Sequence, residues 1–516
     1  MSPFLRKVKT ASGATAVQIV EKRHGIRTIL EHLGSAHDEA ELAALMQAGR
    51  EKMQANQPML DITVDGGVRP GVAVVDAKRS QLLVDVVRDS WQRLGFDVVD
   101  DEAFFQLVLA RLVEPTSKLD SLRVVAELGL TPVHLSTVKR CLKRCAGNDY
   151  QGRISQACFN HVWSERGGDV SLLMYDVTTL YFETDTEDEL RKVGFSKERR
   201  VDPQIVVGLL VDRSGFPLEV ACYEGNKAET HTIIPVIQAF QKRHQVADMV
   251  VVADAGMLSV GNLEAIDQAG LRFIVGSRVT KAPLDLAKHF HWHGNAFTDG
   301  QVIDTVTMRR AAPDPGRLDT RAEPVWHPHD HPKAWRAVWQ YSRKRAARDR
   351  HTLRAQRDRA QAIVDGHKPA KKARFVKTTG QTATLDQAAL QRAEDLIGLK
   401  GYVTNITADV LPATEVISSY HDLWRVEQSF RMSKSDLAAR PIFHRTRDAI
   451  EAHLTIVFTA LAIARDLQAR SGWSLKRIVR ALRPLQHVTI RLAGQQFEAE
   501  PALPDDVAGL LTALGH

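Results

Sequence analysis

Three observations predict a mixed α/β protein. A short apolar strand, Leu172-Leu173-Met174-Tyr175, runs into the carboxylate of Asp176. Two further apolar runs, Ile205 to Val211 and Pro217 to Cys222, flank Arg213-Ser214-Gly215, which reads as a hairpin turn. A buried run from Met249 to Ala253 again stops at a carboxylate, Asp254. Between them, Thr230 to His244 carries apolar residues at helical spacing (Ile233, Ile234, Val236, Ile237, Phe240). A helix from Asn262 to Ala269 and a strand from Phe273 to Gly276 complete the set. Strand, hairpin, helix, strand, helix, strand is the order of a ribonuclease-H-like α/β core.

The elements around this core follow in chain order. Residues 1–75 read as a small α+β unit, with a β-branched strand from Thr15 to Glu21 and a helix from Asp38 to Gln54. Residues 76–165 are mostly helical. Within them Ser121 to Leu130 ends at a Gly129 turn, and Pro132 to Arg144 restarts as a basic helix. That pattern predicts a helix-turn-helix whose recognition helix carries Lys139, Arg140 and Lys143 toward DNA. The same pattern also describes an ordinary helical hairpin. The first part of the core spans 166–280. The interval 281–400 is too long for a structureless connection and is expected to be an inserted domain. It holds strand-like runs such as Val302 to Met308, four tryptophans (Trp292, Trp326, Trp335, Trp339) and a basic helix from Arg343 to Val364. Residues 401–470 return to the core with the strand Gly401 to Ile406 and the helix of Glu427, and 471–516 form a C-terminal tail.

Composition bounds the function classes. The 516 residues allow roughly three or four domains. The formal net charge of +7 is modest for this length, but basic residues crowd the stretch from Arg343 to Arg359, a footprint suited to a phosphate backbone. Cys141, Cys145, Cys158 and Cys222 show no C-x-x-C pairing, which fits free thiols of a reducing compartment. The N-terminus lacks the apolar core of a signal peptide. The longest apolar run, Leu454 to Ala464, is too short to span a bilayer and is expected to be a buried helix, so a cytoplasmic protein without a membrane partner is predicted.

The chemistry centres on carboxylates. At about 3.6 residues per turn, Tyr420, Glu427 and Lys434 fall on one face of a helix. If the two aspartate-bearing strands are neighbours, Asp176 and Asp254 converge at one edge of the sheet and Glu427 joins them from the helix. Three hard oxygen donors with no nearby cysteine favour Mg²⁺ or Mn²⁺ over zinc. Two such ions about 4 Å apart suit phosphodiester chemistry. A cation is also what keeps crowded carboxylates from raising one another's pKa. His289, His291 and His293 alternate, as do His327, His329 and His331. Loop histidines are the better reading of both sets than a metal site, given Pro328 and Pro332 beside the second.

These residues meet a family. Tyr175-Asp176-Val177-Thr178-Thr179-Leu180-Tyr181-Phe182, Ala253-Asp254-Ala255-Gly256-Met257-Leu258-Ser259 and Tyr420…Glu427…Lys434 resemble the DDE transposases of bacterial insertion sequences. The resemblance is to the insertion-sequence-4-like superfamily and its insertion-sequence-1634 branch, which Arg6-Lys7-Val8-Lys9-Thr10 and Glu31 to Ala36 also resemble. It implies that Asp176, Asp254 and Glu427 are the catalytic, metal-binding triad, and that Tyr420 and Lys434 contact phosphates near the transposon end; Arg431 is expected to hold a backbone phosphate beside them. It further implies that a β-rich domain interrupts the core before Glu427. The implied partners are transposon-end and target DNA, with a homodimer in the synaptic complex, in a cytoplasmic and nucleoid-associated bacterial protein. One position departs from the pattern. The family has Arg three residues after its Tyr, where this chain has Leu423, and Arg425 is the candidate to replace it.

The activity so implied is cut-and-paste DNA transposition: metal-dependent cleavage at terminal inverted repeats, then strand transfer into target DNA. A ribonuclease-H-like nuclease without strand transfer shares the triad. A non-catalytic DNA-binding protein derived from a transposase is the alternative of a different class.

Overall fold

The computed structural model describes residues 4–10, 14–23, 26–36, 41–42, 45–46, 48–49, 52–53, 74–165, 171–195, 201–228, 231–246, 249–254, 259–310, 318–369, 373–379, 382–492 and 495–516. Most of the helix expected from Asp38 to Gln54 lies outside them, as do Ala255 to Leu258 of the second aspartate motif. The chain divides into two compact units, Met1–Lys78 with His487–Glu500, and Arg79–Gln486 with Pro501–His516.

In the first unit, β1 (Phe4–Lys9), β2 (Thr15–Arg23) and β3 (Ile26–Ala36) form an antiparallel sheet. Register shifts at Val17/Gln18 and Ile19/Val20 turn adjacent residues to one side, which is why Ala16 and Val17, then Ile19 and Val20, are buried in pairs. This unit also contains β4 (Val74–Arg79).

In the second unit, helices Gln81–Arg93, Glu102–Val113, Lys118–Glu127, Leu135–Gly147 and Tyr150–Glu165 precede the sheet. Lys118–Glu127 ends where Gly129 takes a φ of 81°, and Leu130 N bonds back to Val125 O (3.2 Å). Leu135–Gly147 buries Val138, Cys141, Leu142 and Cys145 on one stripe and leaves Lys139, Arg140 and Lys143 exposed. Asp101 fixes this helix. Its carboxylate caps the helix Glu102–Val113 through Ala103 N and Phe104 N, and accepts from Arg144 (2.6 Å) and Tyr150 (2.9 Å). Burial alone would raise the Asp101 pKa, but the bonds from Arg144 and Tyr150 hold it below the usual carboxylate range.

The central sheet has eight strands: β5 (Leu172–Tyr181), β6 (Gln204–Asp212), β7 (Pro217–Glu224), β8 (Val250–Ala253), β9 (Arg272–Ser277), β10 (Val302–Met308), β11 (Ala334–Tyr341) and β14 (Leu399–Thr404). Their order is β10-β11-β14-β9-β8-β5-β6-β7, with β12 (Val376–Thr379) and β13 (Thr382–Leu385) pairing apart as a small hairpin. β8 runs parallel to both β5 and β9, and every other pair in the large sheet is antiparallel. The fold is therefore mixed α/β around one large mixed sheet. The strands of the 281–400 interval, read from sequence as those of an inserted domain, extend this sheet through β10 and β11 instead of building a large sheet of their own. Helix Arg447–Ser471 is buried along most of its length, from Ile450 to Leu467, and no described helix is long and apolar enough to cross a membrane. The chain then passes helix Leu475–Leu482 and returns to the first unit, where β15 (His487–Leu492) pairs with β16 (Gln495–Ala499) and β4.

Helix Ile233–His244 ends in a ring stacked on Phe159, with centroids 4.1 Å apart. Neither nitrogen of His244 has a hydrogen-bond partner among the described residues, and burial pushes its pKa down to about 4. An unfolded histidine takes its proton near about pH 6.5, whereas this one stays neutral until about 4. Over that window the unfolded chain binds more protons, so stability falls as pH falls. His244→Phe keeps the stack and is expected to remove about 1 kcal/mol of acid destabilisation, allowing for screening at a partly exposed ring. Melting curves of both proteins at pH 7 and pH 4.5 check this. Equal pH dependence in the two would contradict it.

Candidate catalytic site

β5 was expected to end at Asp176, but it continues to Tyr181. The β-branched run Val177-Thr178-Thr179 keeps pairing with β6 as far as Gln204. What ends near Asp176 is the partner on the other side. β8 pairs Leu172 with Val250 and Met174 with Val252 in parallel, and stops at Ala253. Carrying that register two residues onward sets Asp176 beside Asp254 at one edge of the sheet. Asp176 is half-buried and takes Val177 N on Oδ1 (2.8 Å), while Asp254 is exposed.

Tyr420 reaches this edge from helix Ala413–His421, and its hydroxyl donates to Asp254 Oδ1 (2.8 Å). Burial first, and then the neighbouring Asp254 carboxylate, push the phenol pKa far up, so it remains a donor. Lys400 on β14 stands behind it, with Nζ 3.4 Å from the Tyr420 hydroxyl and 4.8 Å from the ring centre. Burial lowers the Lys400 pKa and the nearby Arg345 adds to that, against the pull of Asp254. Tyr402 closes the cluster by meeting His421 Nε2 at 3.1 Å. Sequence reading did not single out Lys400. Its only signal was an ammonium placed two residues before a tyrosine on an otherwise apolar strand.

The single helix expected through Tyr420, Glu427 and Lys434 is three pieces. Around His421 the backbone tightens: Leu423, Arg425 and Val426 each bond to a carbonyl three residues back. Helix Trp424–Arg431 follows, and then one wide π turn over Met432–Asp436. All these residues tolerate a helix, so the breaks come from tertiary contacts. Arg213 pairs with Asp422 (3.0 Å), and Ser429 donates to Gly215 O (2.8 Å), which ties the first break and the helix after it to the β6–β7 turn. Gly215 (φ 84°) is required there, since a Cβ would meet the Arg465 guanidinium and Arg425.

Glu427 lies in the first turn of Trp424–Arg431, exposed, on a helix packed over β5 and β6. Its charge reaches Tyr420. Lys434 lines an apolar hollow with Thr178, Leu180 and Phe430, and Thr178 shares a strand face with Asp176. Arg431 is exposed. Arg425 faces a different cleft, with Arg93, Asp212 and Arg465, and its guanidinium lies near Asp422 (3.5 Å) and over the Trp424 ring. Leu423, at the position where the family has Arg, is buried.

Among the described residues, no three His, Cys, Asp or Glu side chains close into a metal-binding cluster. The strand-edge pair still has the chemistry of a hard-cation site, because its donors are carboxylate oxygens with no thiol or imidazole beside them. The alternating histidines build nothing comparable. His289, His291 and His293 lie in the short helix Ala287–His293, not a loop, so they cannot face one way, and His289 is engaged by Ala296 O (3.1 Å). Of the four tryptophans in the interval, Trp326, Trp335 and Trp339 are buried and only Trp292 is exposed.

The transposase DDE domain family matches residues 169–463, more than half of the chain and a span holding Asp176, Asp254 and Glu427. The chain belongs to this family. Among solved structures it is similar to a piggyBac transposase synaptic complex with hairpin DNA, seen by cryo-EM. The identity is 10%, over 81% of this chain and 82% of that one, with a TM-score of 0.40. No curated protein matches it. Family membership makes DNA transposition the frame in which the site is read.

Proposed function

We propose that this DDE transposase cuts the strands at the ends of its own element and joins the freed 3′-hydroxyls to target DNA. The observation that carries the reading is the parallel register of β5 and β8, which, carried two residues past the Met174–Val252 pair, sets Asp176 beside Asp254, with the Glu427 helix packed across the same sheet. In this reading β5 to β9 are a ribonuclease-H-like core, and Asp176, Asp254 and Glu427 are the catalytic carboxylates. A pair of Mg²⁺ or Mn²⁺ ions held by them would supply the positive charge that activates the attacking oxygen and stabilises the leaving one. Tyr420, held protonated, and Lys400 orient Asp254 and keep its charge partly compensated. Lys434 and Arg431 bind backbone phosphates, and Lys139, Arg140 and Lys143 contact the end sequence from an exposed helix face. Two ends must be joined at once, so the working form is a homodimer on DNA.

Incubating the full chain with a duplex carrying the repeat that borders its coding region, and with target DNA, tests the activity. Joined product with Mg²⁺ and none with a chelator is expected. Metal-dependent cleavage without joining would instead favour the nuclease.

A further inference from the structure

The basic helix Arg343–Val364 takes no part in the carboxylate site, yet it is rooted beside it. Ser342 N bonds to Gly398 O (3.0 Å), and Asp349 accepts from Gly398 N (3.1 Å). Gly398, at a φ of 84°, is required there, because a Cβ would meet the Tyr341 ring and Ala346. Two residues on, Lys400 reaches the Tyr420 hydroxyl that donates to Asp254. The first turns of the helix are therefore fixed to the strand that backs the aspartate edge.

Little of this helix turns inward. It runs for 22 residues and buries only Ala346, Ala360 and Ile363. Arg343, Arg350, Arg354 and Arg357 are all exposed, and their spacing of seven, four and three places them on one face. Lys344, Arg348 and Arg359 are exposed too. The helix holds only two acids, Asp349 and Asp358, and Asp349 is turned to Gly398 and Arg345 (3.6 Å). Among the described residues, no carboxylate pairs with any of the four arginines of the row. Like charges three and four apart repel, so the row is not arranged for the helix's own stability.

The row extends about 21 Å, the axial length of about six base pairs. Gln361, the amide in line with it, donates to Asp365 (2.8 Å). Gln356 lines the hollow on the inner side of the helix, where Arg374 donates to it (3.2 Å). The row thus offers charge for phosphates, and phosphate contacts carry no sequence information. A surface of that kind suits a duplex that is accepted whatever its sequence.

We infer that Arg343, Arg350, Arg354 and Arg357 hold the backbone of target DNA beside the aspartate edge. The inference rests on the transposase reading above, in which freed 3′-hydroxyls must meet a second duplex at the carboxylates. In that reading the element's own end has a different surface, the helix face of Lys139, Arg140 and Lys143.

The test combines Arg350→Gln, Arg354→Gln and Arg357→Gln in the full chain. Glutamine keeps the helix propensity and removes the repulsion, so the fold should hold, which a melting curve verifies. Binding to a repeat-free duplex is measured across a salt series. Cleavage of the bordering-repeat duplex is measured apart from the joining of pre-cut ends to target. The variant is expected to lose about three phosphate contacts from the salt slope and at least about tenfold in affinity. Joining should fall by a similar factor and recover at high target concentration, with end cleavage at the wild-type rate. Cleavage that falls as far as joining would give the row to the element's own end and overturn target capture. Unchanged slope, affinity and joining would make the row a solvated surface and overturn it too. So would loss of binding to anionic phospholipid vesicles with duplex binding intact, which would assign the row to a membrane surface. If wild type itself joins no ends, the transposase reading falls, while the salt series still decides whether the row binds duplex DNA.

Discussion

Glu427→Gln is expected to lower strand cleavage and joining by more than about a hundredfold, while DNA affinity and Tm stay at wild-type values. The substitution keeps size and hydrogen-bonding capacity and removes only the charge. Changes to the outer partners of metal ligands already cost roughly 10–100-fold, so losing a ligand's charge should cost more. Stability should hold because Glu427 is exposed, and exposed substitutions usually change stability little. Single-turnover cleavage of an end-labelled duplex, with a melting curve on the same preparation, separates the two effects. Unchanged cleavage would place the third carboxylate elsewhere in the chain.

The largest stability effect is expected at Asp304→Ala. Arg336 on β11 is only 1% exposed and donates to both oxygens of Asp304, from Nε to Oδ1 at 2.9 Å and from Nη2 to Oδ2 at 2.5 Å. Its other terminal nitrogen donates to Ile406 O (3.2 Å) and Leu411 O (2.6 Å). Those carbonyls belong to the turn between β14 and the helix that carries Tyr420, so this guanidinium anchors the helix that reaches Asp254 as well as the sheet. Removing Asp304 strands a buried charge, at a cost of about 3–5 kcal/mol. Replacing both partners by apolar residues, Asp304→Leu with Arg336→Met, should recover most of that loss, because no unpaired charge remains. Denaturant unfolding of the three proteins checks the pattern. A loss under about 1 kcal/mol for Asp304→Ala would show that the carbonyls alone satisfy Arg336.

Much of the site could be read from local sequence because its positions are local events. Val250-Val251-Val252-Ala253 is a short β-branched run that breaks at Asp254, and the structure has that strand. Asp176 stands out in the sequence for the same reason, but β5 runs past it to Tyr181. Whether β5 stops at Asp176 depends on which neighbour continues, and β6 continues where β8 does not. The break at Asp422 and Leu423 was hidden since both residues accept helical angles, and Arg213 and the β6–β7 turn impose it from more than two hundred residues away. Lys400 was invisible for a similar reason. Only the β9–β14 pairing, Gly401 opposite Ser277 and Tyr402 opposite Gly276, brings its strand to the aspartate edge. The extension of the sheet by β10 and β11 is likewise a matter of long-range pairing, on which period-two patterning is silent.

The most direct test of the account is the joining assay run with wild type, Asp176→Asn and Asp254→Asn side by side, in Mg²⁺ and on the same bordering-repeat duplex. The account predicts joined product from wild type alone, with all three proteins binding the duplex equally. Joined product at the wild-type level from either variant would contradict the claim that the two register-matched aspartates form the catalytic centre.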